Sequence, residues 1–106
     1  MAKYLIKASY TVEGTKGLLK EGGSSRRAAV AQMVQALGGK LETFYFAFGE
    51  PDVFAIVDVP DVTAAAAMSL VINSKGAAQV STTPLITPEE IDAACKKSVT
   101  YRAPGT

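Results

Sequence analysis

Apolar and polar positions alternate along three stretches of the chain and recur at helical spacing along two others. Residues 3–10, Lys-Tyr-Leu-Ile-Lys-Ala-Ser-Tyr, put Tyr4, Ile6, Ala8 and Tyr10 on one face and Leu5, Lys7 and Ser9 on the other, the period of a strand. From Thr11 to Gly23 the glycines at 14, 17, 22 and 23 interrupt any period, which predicts a loop with at most a helical turn at Gly17-Leu18-Leu19. Connections of that length inside a compact domain are commonly functional or disordered, so this one is a candidate site. Ser24 or Ser25 is placed to cap a helix running to about Leu37. Its apolar positions Ala29, Val30, Met33, Val34 and Leu37 recur every three or four residues, and Gly38-Gly39 ends it.

Lys40 to Phe48 alternates Leu41, Thr43, Tyr45 and Ala47 against Glu42, Phe44, Phe46 and Phe48. Asp52 to Val59 alternates Phe54 and Ile56 against Val53, Ala55, Val57 and Val59. Gly49-Glu50-Pro51-Asp52 between them is a turn, and the pair reads as an antiparallel hairpin. Asp61 or Thr63 opens a second helix to about Ser74, ended by Gly76, with Ala64, Ala67, Met68 and Val71 inward. A fourth strand follows over about Ala78 to Ile86. Thr87-Pro88-Glu89-Glu90 combines an N-cap, a proline at the first helical position and a glutamate three residues after the cap, so a third helix runs to about Lys97. The tail from Val99 to Thr106 is irregular.

The order strand, helix, strand, strand, helix, strand, with a terminal helix, is the split βαβ pattern. It predicts an α+β ferredoxin-like domain spanning residues 1–106, two helices covering one face of an antiparallel sheet. Both strand faces are partly apolar, however. Phe44, Phe46 and Phe48 with Val53, Ala55 and Val57 suit the helix-covered face, while Leu5, Leu41, Tyr45, Phe54 and Ile56 line the side that a monomer leaves to water. Soluble monomers seldom expose so large an apolar patch. A second copy packed sheet to sheet, forming a dimeric α/β barrel, is the expected cover.

Composition narrows the chemistry. The 106 residues contain no His, no Trp and one Cys, Cys95, which excludes a His-dependent triad, a His-ligated zinc or haem and an intramolecular disulfide in one chain. No metal and no cofactor is expected. Eleven basic against ten acidic residues give a net charge of +1, far from the basic balance that binding a phosphate backbone requires, so nucleic acid is not an expected partner. The longest apolar run, Ala64 to Met68, is too short to span a membrane, and the N-terminus breaks its apolar stretch at Lys7, as no signal peptide would. With a single unpaired cysteine, the expected compartment is the cytoplasm.

Tyr10, Glu13, Lys16, Lys20, Glu21, Arg26 and Arg27 gather in or beside the glycine-rich segment. Backbone N–H groups at Ser24 to Arg27, a helix dipole and an arginine would suit a carboxylate or phosphate, with Tyr10 at the strand end. The plainer alternative is a capped helix with arginines solvated on its polar face. Neither a Walker A pattern nor a dinucleotide fingerprint is present. Asp52 beside Glu50 has the makings of an acid/base pair, and equally of a turn former, since Asp bonds its own backbone in turns. Tyr45 points to the uncovered face, as an interface anchor or a hydrogen-bond donor to a ligand. Cys95, followed by Lys96 and Lys97, lacks the base or second cysteine that thiol chemistry uses.

The run Leu41-Glu42-Thr43-Phe44-Tyr45-Phe46-Ala47-Phe48-Gly49-Glu50-Pro51-Asp52-Val53, with Ala55-Ile56-Val57 and Pro60-Asp61, resembles the GYD domain family, named for a Gly-Tyr-Asp signature. Tyr10-Thr11-x-Glu13-Gly14-x-Lys16-Gly17-Leu18-Leu19, Leu37-Gly38-Gly39-Lys40 and Leu85-Ile86-Thr87-Pro88-Glu89-Glu90 are similar to the same family, so the likeness covers almost the whole chain. Pro51 stands where the signature tyrosine would precede Asp52. Gly49 and Asp52 remain consistent with a hairpin turn. The resemblance implies a small bacterial or archaeal protein of the dimeric α/β-barrel group, whose fold relatives include cofactor-independent monooxygenases, isomerases, haem enzymes and ligand-sensing modules. Fold alone selects none of these, and the lack of histidine disfavours the haem branch.

Three functions stay open at this point. One is a homo-oligomeric protein binding a small anionic or aromatic ligand in a metabolic or stress-related context, with Tyr10, Lys16, Arg26, Tyr45 and Asp52 as candidate contacts. Another is a cofactor-independent oxygenase or isomerase in which Tyr10 or Tyr45 donates to an oxyanion and Asp52 or Lys16 moves a proton. The third is a structural assembly subunit without a ligand.

Overall fold

The computed structural model describes residues 1–47 and 49–106. The elements are β1 (Ala2–Tyr10), α1 (Val12–Glu21), α2 (Gly23–Ala36), β2 (Lys40–Phe46), β3 (Val53–Val59), α3 (Val62–Lys75), β4 (Ala78–Pro84) and α4 (Pro88–Cys95). The strands form one antiparallel sheet in the order β2-β3-β1-β4, the ferredoxin-like arrangement. Phe48, assigned from sequence to the end of β2 and its phenylalanine face, lies outside the described residues. No helix among them is long and apolar enough to cross a membrane.

The core fills the space between the sheet and the helices. Tyr4, Ile6 and Ala8 of β1 and Val53, Ala55, Val57 and Val59 of β3 are buried with Val34 of α2 and Ala65 and Met68 of α3. Every second residue of the two central strands therefore meets a helix, as the alternation requires. The edge strand β4 is partly closed by α3: the Val80 N–H donates to Asn73 Oδ1 at 2.8 Å, and Ser69 of α3 bonds the Thr82 hydroxyl. A side chain that satisfies edge-strand backbone makes that edge a poorer template for another strand.

Two expectations are corrected here. Residues 11–23 are a helix with a one-residue break, not a loop. Thr11 caps α1, its Oγ1 accepting from Gly14 N at 3.3 Å, and Gly22, at φ +85°, closes α1 while serving as the N-cap of α2. Ser24 and Ser25 consequently lie inside α2, whose start carries no side-chain cap. Gly14 explains why a glycine-rich segment is helical: a Cβ there would stand 1.9 Å from the Ala77 carbonyl oxygen, so only glycine lets α1 lie this close to the start of β4.

The second correction concerns Leu41. The β2–β3 register shifts between Leu41 and Thr43, where a bulge opposes an extra residue to β3. Leu41 then pairs with Val57 and packs against the covered core, as does Phe44 opposite Ala55, while Phe46 opposite Val53 stacks edge-on against Phe44 and stays 38% exposed. Thr43 and Tyr45, opposite Ile56 and Phe54, remain on the open face. Strict alternation breaks at the bulge because the additional residue inverts the facing of everything before it.

Candidate functional site

β1 ends at Tyr10, where three elements converge. The Tyr10 N–H donates to Asp52 Oδ2 at 2.8 Å, and the Asp52 N–H donates to the Ala8 carbonyl at 2.8 Å. Asp52, at the exit of the hairpin turn, thus holds the end of β1 through both its carboxylate and its own N–H, a long-range contact in place of the local turn bond expected of it. One residue on, the Thr11 N–H donates to Ala77 O at 3.0 Å and the Thr11 hydroxyl to Gly76 O at 2.8 Å, tying the strand end to the α3–β4 junction. Gly14 completes the clamp, since its missing Cβ would also meet Tyr10 Cδ1 at 2.9 Å.

The side chain of Tyr10 held in this way faces a cavity of about 220 Å³ between the sheet and helices α2 and α3. Its walls are almost wholly apolar: Ile6, Ala8, Val53, Ala55 and Val57 from the sheet, Ala29, Val30 and Met33 from α2, Met68 and Ile72 from α3, with Phe44, Ala78 and Val80 closing the flanks. Tyr10 and Arg26 are the polar residues of its lining. An engineered cavity of roughly 150 Å³ lined by such side chains stays dry and admits benzene.

Arg26 sits in the first turns of α2 with its side chain 37% exposed, and the Nε atom itself is shut off from solvent. The Glu21 carboxylate stands 3.6 Å away, close enough for charge attraction and too far for a hydrogen bond. Among the described residues that N–H has no acceptor. An N–H withdrawn from solvent without an acceptor is costly and calls for an explanation. Burial pushes the Tyr10 phenol above its ordinary ionisation range, with Arg26 pulling the other way and Glu21 and Asp52 adding to the rise. Tyr10 is therefore a neutral donor beside a permanent cation at the polar end of an apolar chamber.

The structure thus brings together Tyr10 and Arg26, with Asp52 behind Tyr10 at its backbone. It does not bring in the other two sequence candidates. Lys16 lies exposed on α1, and Tyr45 lies on the open sheet face, 68% exposed, opposite Phe54. The residues that sequence reasoning passed over are Met33, Met68 and Ile72. Helical spacing marks Met33 and Met68 as core, and nothing in a period separates a core position from a cavity wall; on α3 the expected inward positions Ala67 and Val71 are exposed, and Ala65 and Ile72 face inward in their place. Gly14 was legible only as a breaker, although a lone glycine within a helical stretch also signals close approach of another backbone.

The GYD domain family model matches residues 4–95, and the chain belongs to that family. No curated protein and no solved structure matches it.

Proposed function

From membership of the GYD domain family and the geometry at the end of β1, we propose that this protein binds a small ligand with an apolar body and an anionic head. The body fills the chamber between sheet and helices, and the head accepts from Arg26 and Tyr10. The carrying observation is the Arg26 Nε, withdrawn from solvent at the mouth of an apolar cavity with no acceptor among the described residues. A ligand carboxylate would satisfy that donor, and an arginine–carboxylate pair is among the stronger contacts available. The volume of about 220 Å³ suits one ring with a short side arm. Cytoplasmic action fits a chain whose one cysteine is unpaired.

Phenylacetate and its neutral analogue phenylacetamide make a direct test by calorimetry. Phenylacetate should bind at least tenfold more tightly than the amide, and Arg26→Met should remove that preference without changing the fold. Equal affinity for acid and amide, or no binding of either by a protein whose native mass spectrum is that of the bare chain, would overturn the reading.

A second proposal concerns the other side of the sheet: two copies pack open face to open face. The observation favouring it is the strip of Leu5, Tyr45, Phe54 and Ile56, three strands wide, with no helix over it. Lys3 rims the strip, holding Glu42 at 2.6 Å and Asp58 at 3.0 Å, so one ammonium is shared by two carboxylates at this edge. Sedimentation equilibrium across the micromolar range should show a dimer; a monomer throughout would remove this proposal and leave the ligand site untouched.

A further inference from the structure

We propose that the mouth of the chamber takes a head with one negative charge, a carboxylate, and rejects a doubly charged phosphoryl group, with Glu21 as the residue that sets the distinction; this rests on the ligand site proposed above. Among the described residues Arg26 is the one cation in the cavity lining. Lys16 and Lys20 are exposed on α1, and Arg27 is exposed and lines a separate hollow with Phe44 and Phe46. Two carboxylates already share the mouth with that cation. Glu21 Oε1 stands 3.6 Å from Arg26 Nε, and Asp52 holds the Tyr10 N–H at 2.8 Å. Burial is the larger cause of the rise in the Tyr10 phenol, and Glu21 and Asp52 both add to it, which sets both within range of one point. The helix ends nearly cancel, because the negative end of α1 and the positive end of α2 meet at Gly22. The mouth therefore carries one positive and two negative groups before any ligand arrives.

One negative charge is accommodated by exchange. Glu21 is the last residue of α1, its side chain is 35% exposed, and it offsets the charge of Arg26 without bonding the Nε–H. Its carboxylate can turn into water as a ligand carboxylate takes the place beside Nε. The charge at the guanidinium is then the same before and after, and the ligand makes the hydrogen bond that Glu21 does not. A dianion has no such exchange open to it. Its second charge stays unpaired between Asp52 and apolar walls, where a charge without a counter-ion is costly. Coulomb energy scales with the charge of the ligand, so Glu21 opposes a dianion about twice as strongly as a monoanion at the same place.

Phenylacetate and phenyl phosphate share a ring and differ in the charge of the head, since a phosphate monoester loses its second proton at about pH 6. Calorimetry at about pH 7.5 should find phenylacetate bound at least tenfold more tightly, and phenyl phosphate should gain at least fivefold at about pH 5.5, where it is mostly a monoanion. The chain has no histidine, and its α-amino group lies at the opposite end of β1 from Tyr10, so that gain reports the charge of the ligand. Glu21→Gln should narrow the preference for phenylacetate at least threefold. Glu13→Gln, the same charge change at an exposed position in the first turn of α1, should leave it as it was. Equal affinity for the two heads, a phenyl phosphate affinity flat with pH, or a preference that Glu21→Gln moves no further than Glu13→Gln does, overturns the selection by charge. Each of these leaves the preference for acid over amide standing. Binding of neither compound refutes the ligand site and this inference together.

Discussion

On β3, Val53, Ala55, Val57 and Val59 turn to the helices and are buried, while Phe54 and Ile56 between them turn to the open side and keep part of their surface in water. The two sets are equally apolar, and hydrophobicity alone does not distinguish them. What differs is the company each keeps. The covered set meets Val34, Ala65 and Met68 within the same chain, and the space left over is a chamber ending at Tyr10 and Arg26. The open set is paired with Leu5, Lys7, Thr43 and Tyr45 of neighbouring strands. One sheet thereby separates the two proposed activities, a ligand on the inside and a partner on the outside, and a change on one side is expected to leave the other intact.

Adjacent residues give the hardest test of that separation. Val57, 1% exposed, faces the core, and Val57→Asp would bury an unpaired carboxylate at a cost of several kcal/mol, comparable with the whole stability of a domain this size. The expected outcome is an unfolded chain by circular dichroism. Ile56→Asp places the same charge one residue away on the open face, where a stability change of about 1 kcal/mol or less is expected together with loss of the dimer in sedimentation. If both variants unfold, or both fold and dimerise, the two faces are not the separate surfaces described.

A smaller effect separates two glycines of α1. Gly14→Ala drives a methyl into the Ala77 carbonyl, and an overpacked contact with backbone is expected to cost about 3 kcal/mol in a urea melt. Gly17, in the same helix, has open space at the Cβ position, so Gly17→Ala should stabilise by about 0.5–1 kcal/mol. Both changes raise helix propensity, and their opposite signs isolate the contact that positions Tyr10.

The pattern of the chain carried most of this architecture. Period-two runs placed β1, β2 and β3, and the caps at Asp61 and Thr87 appear as read, Asp61 accepting from Ala64 N and Thr87 closing a capping box with Glu90. What stayed hidden has physical causes. Glycine at 14, 17 and 22 signals a break locally, but only the approach of Ala77 from 63 residues away reveals that Gly14 belongs in a helix. The bulge that turns Leu41 inward leaves no mark in composition, because it is a property of the pairing with β3. At the candidate site, Tyr10 and Arg26 were legible as chemistry near one segment. The cavity wall was not, since Met33 and Met68 read as ordinary core and the inward face of α3 was read through Val71 instead of Ile72.

Asp52 links the hairpin turn to the end of β1 through one side-chain bond, the Tyr10 N–H to its carboxylate, beside the backbone bond from its own N–H to Ala8. Asp52→Ala leaves that amide without its acceptor, and about 1–2 kcal/mol of stability should be lost. Phenylacetate affinity should fall with it, because the end of β1 then holds Tyr10 less firmly against the cavity. On the open side Lys3→Ala breaks two exposed ion pairs, and exposed pairs contribute little, so no measurable shift in melting temperature is expected. A larger loss for Lys3→Ala than for Asp52→Ala would reverse the ranking of the two faces.

The smallest expected effect is spectroscopic and tests whether Tyr10 truly belongs to the interior side. Burial raises its phenol above the ordinary tyrosine value of about 10, with Arg26 opposing the shift. A group whose folded value is raised contributes its stability in full below the unfolded value and loses it as pH climbs through the folded one. The difference between absorbance titrations of the unmodified protein and Tyr10→Phe should therefore show one phenol ionising above pH 10. Phenylacetate binding should hold constant through neutral pH, because Arg26 keeps its charge, and decline only where that phenol ionises and its donor becomes a second anion. A ligand carboxylate seated beside Tyr10 would move the same midpoint higher still, since two anions at one cavity mouth repel. A midpoint that phenylacetate leaves unmoved would place the bound carboxylate away from Tyr10, even if Arg26 proved essential for binding.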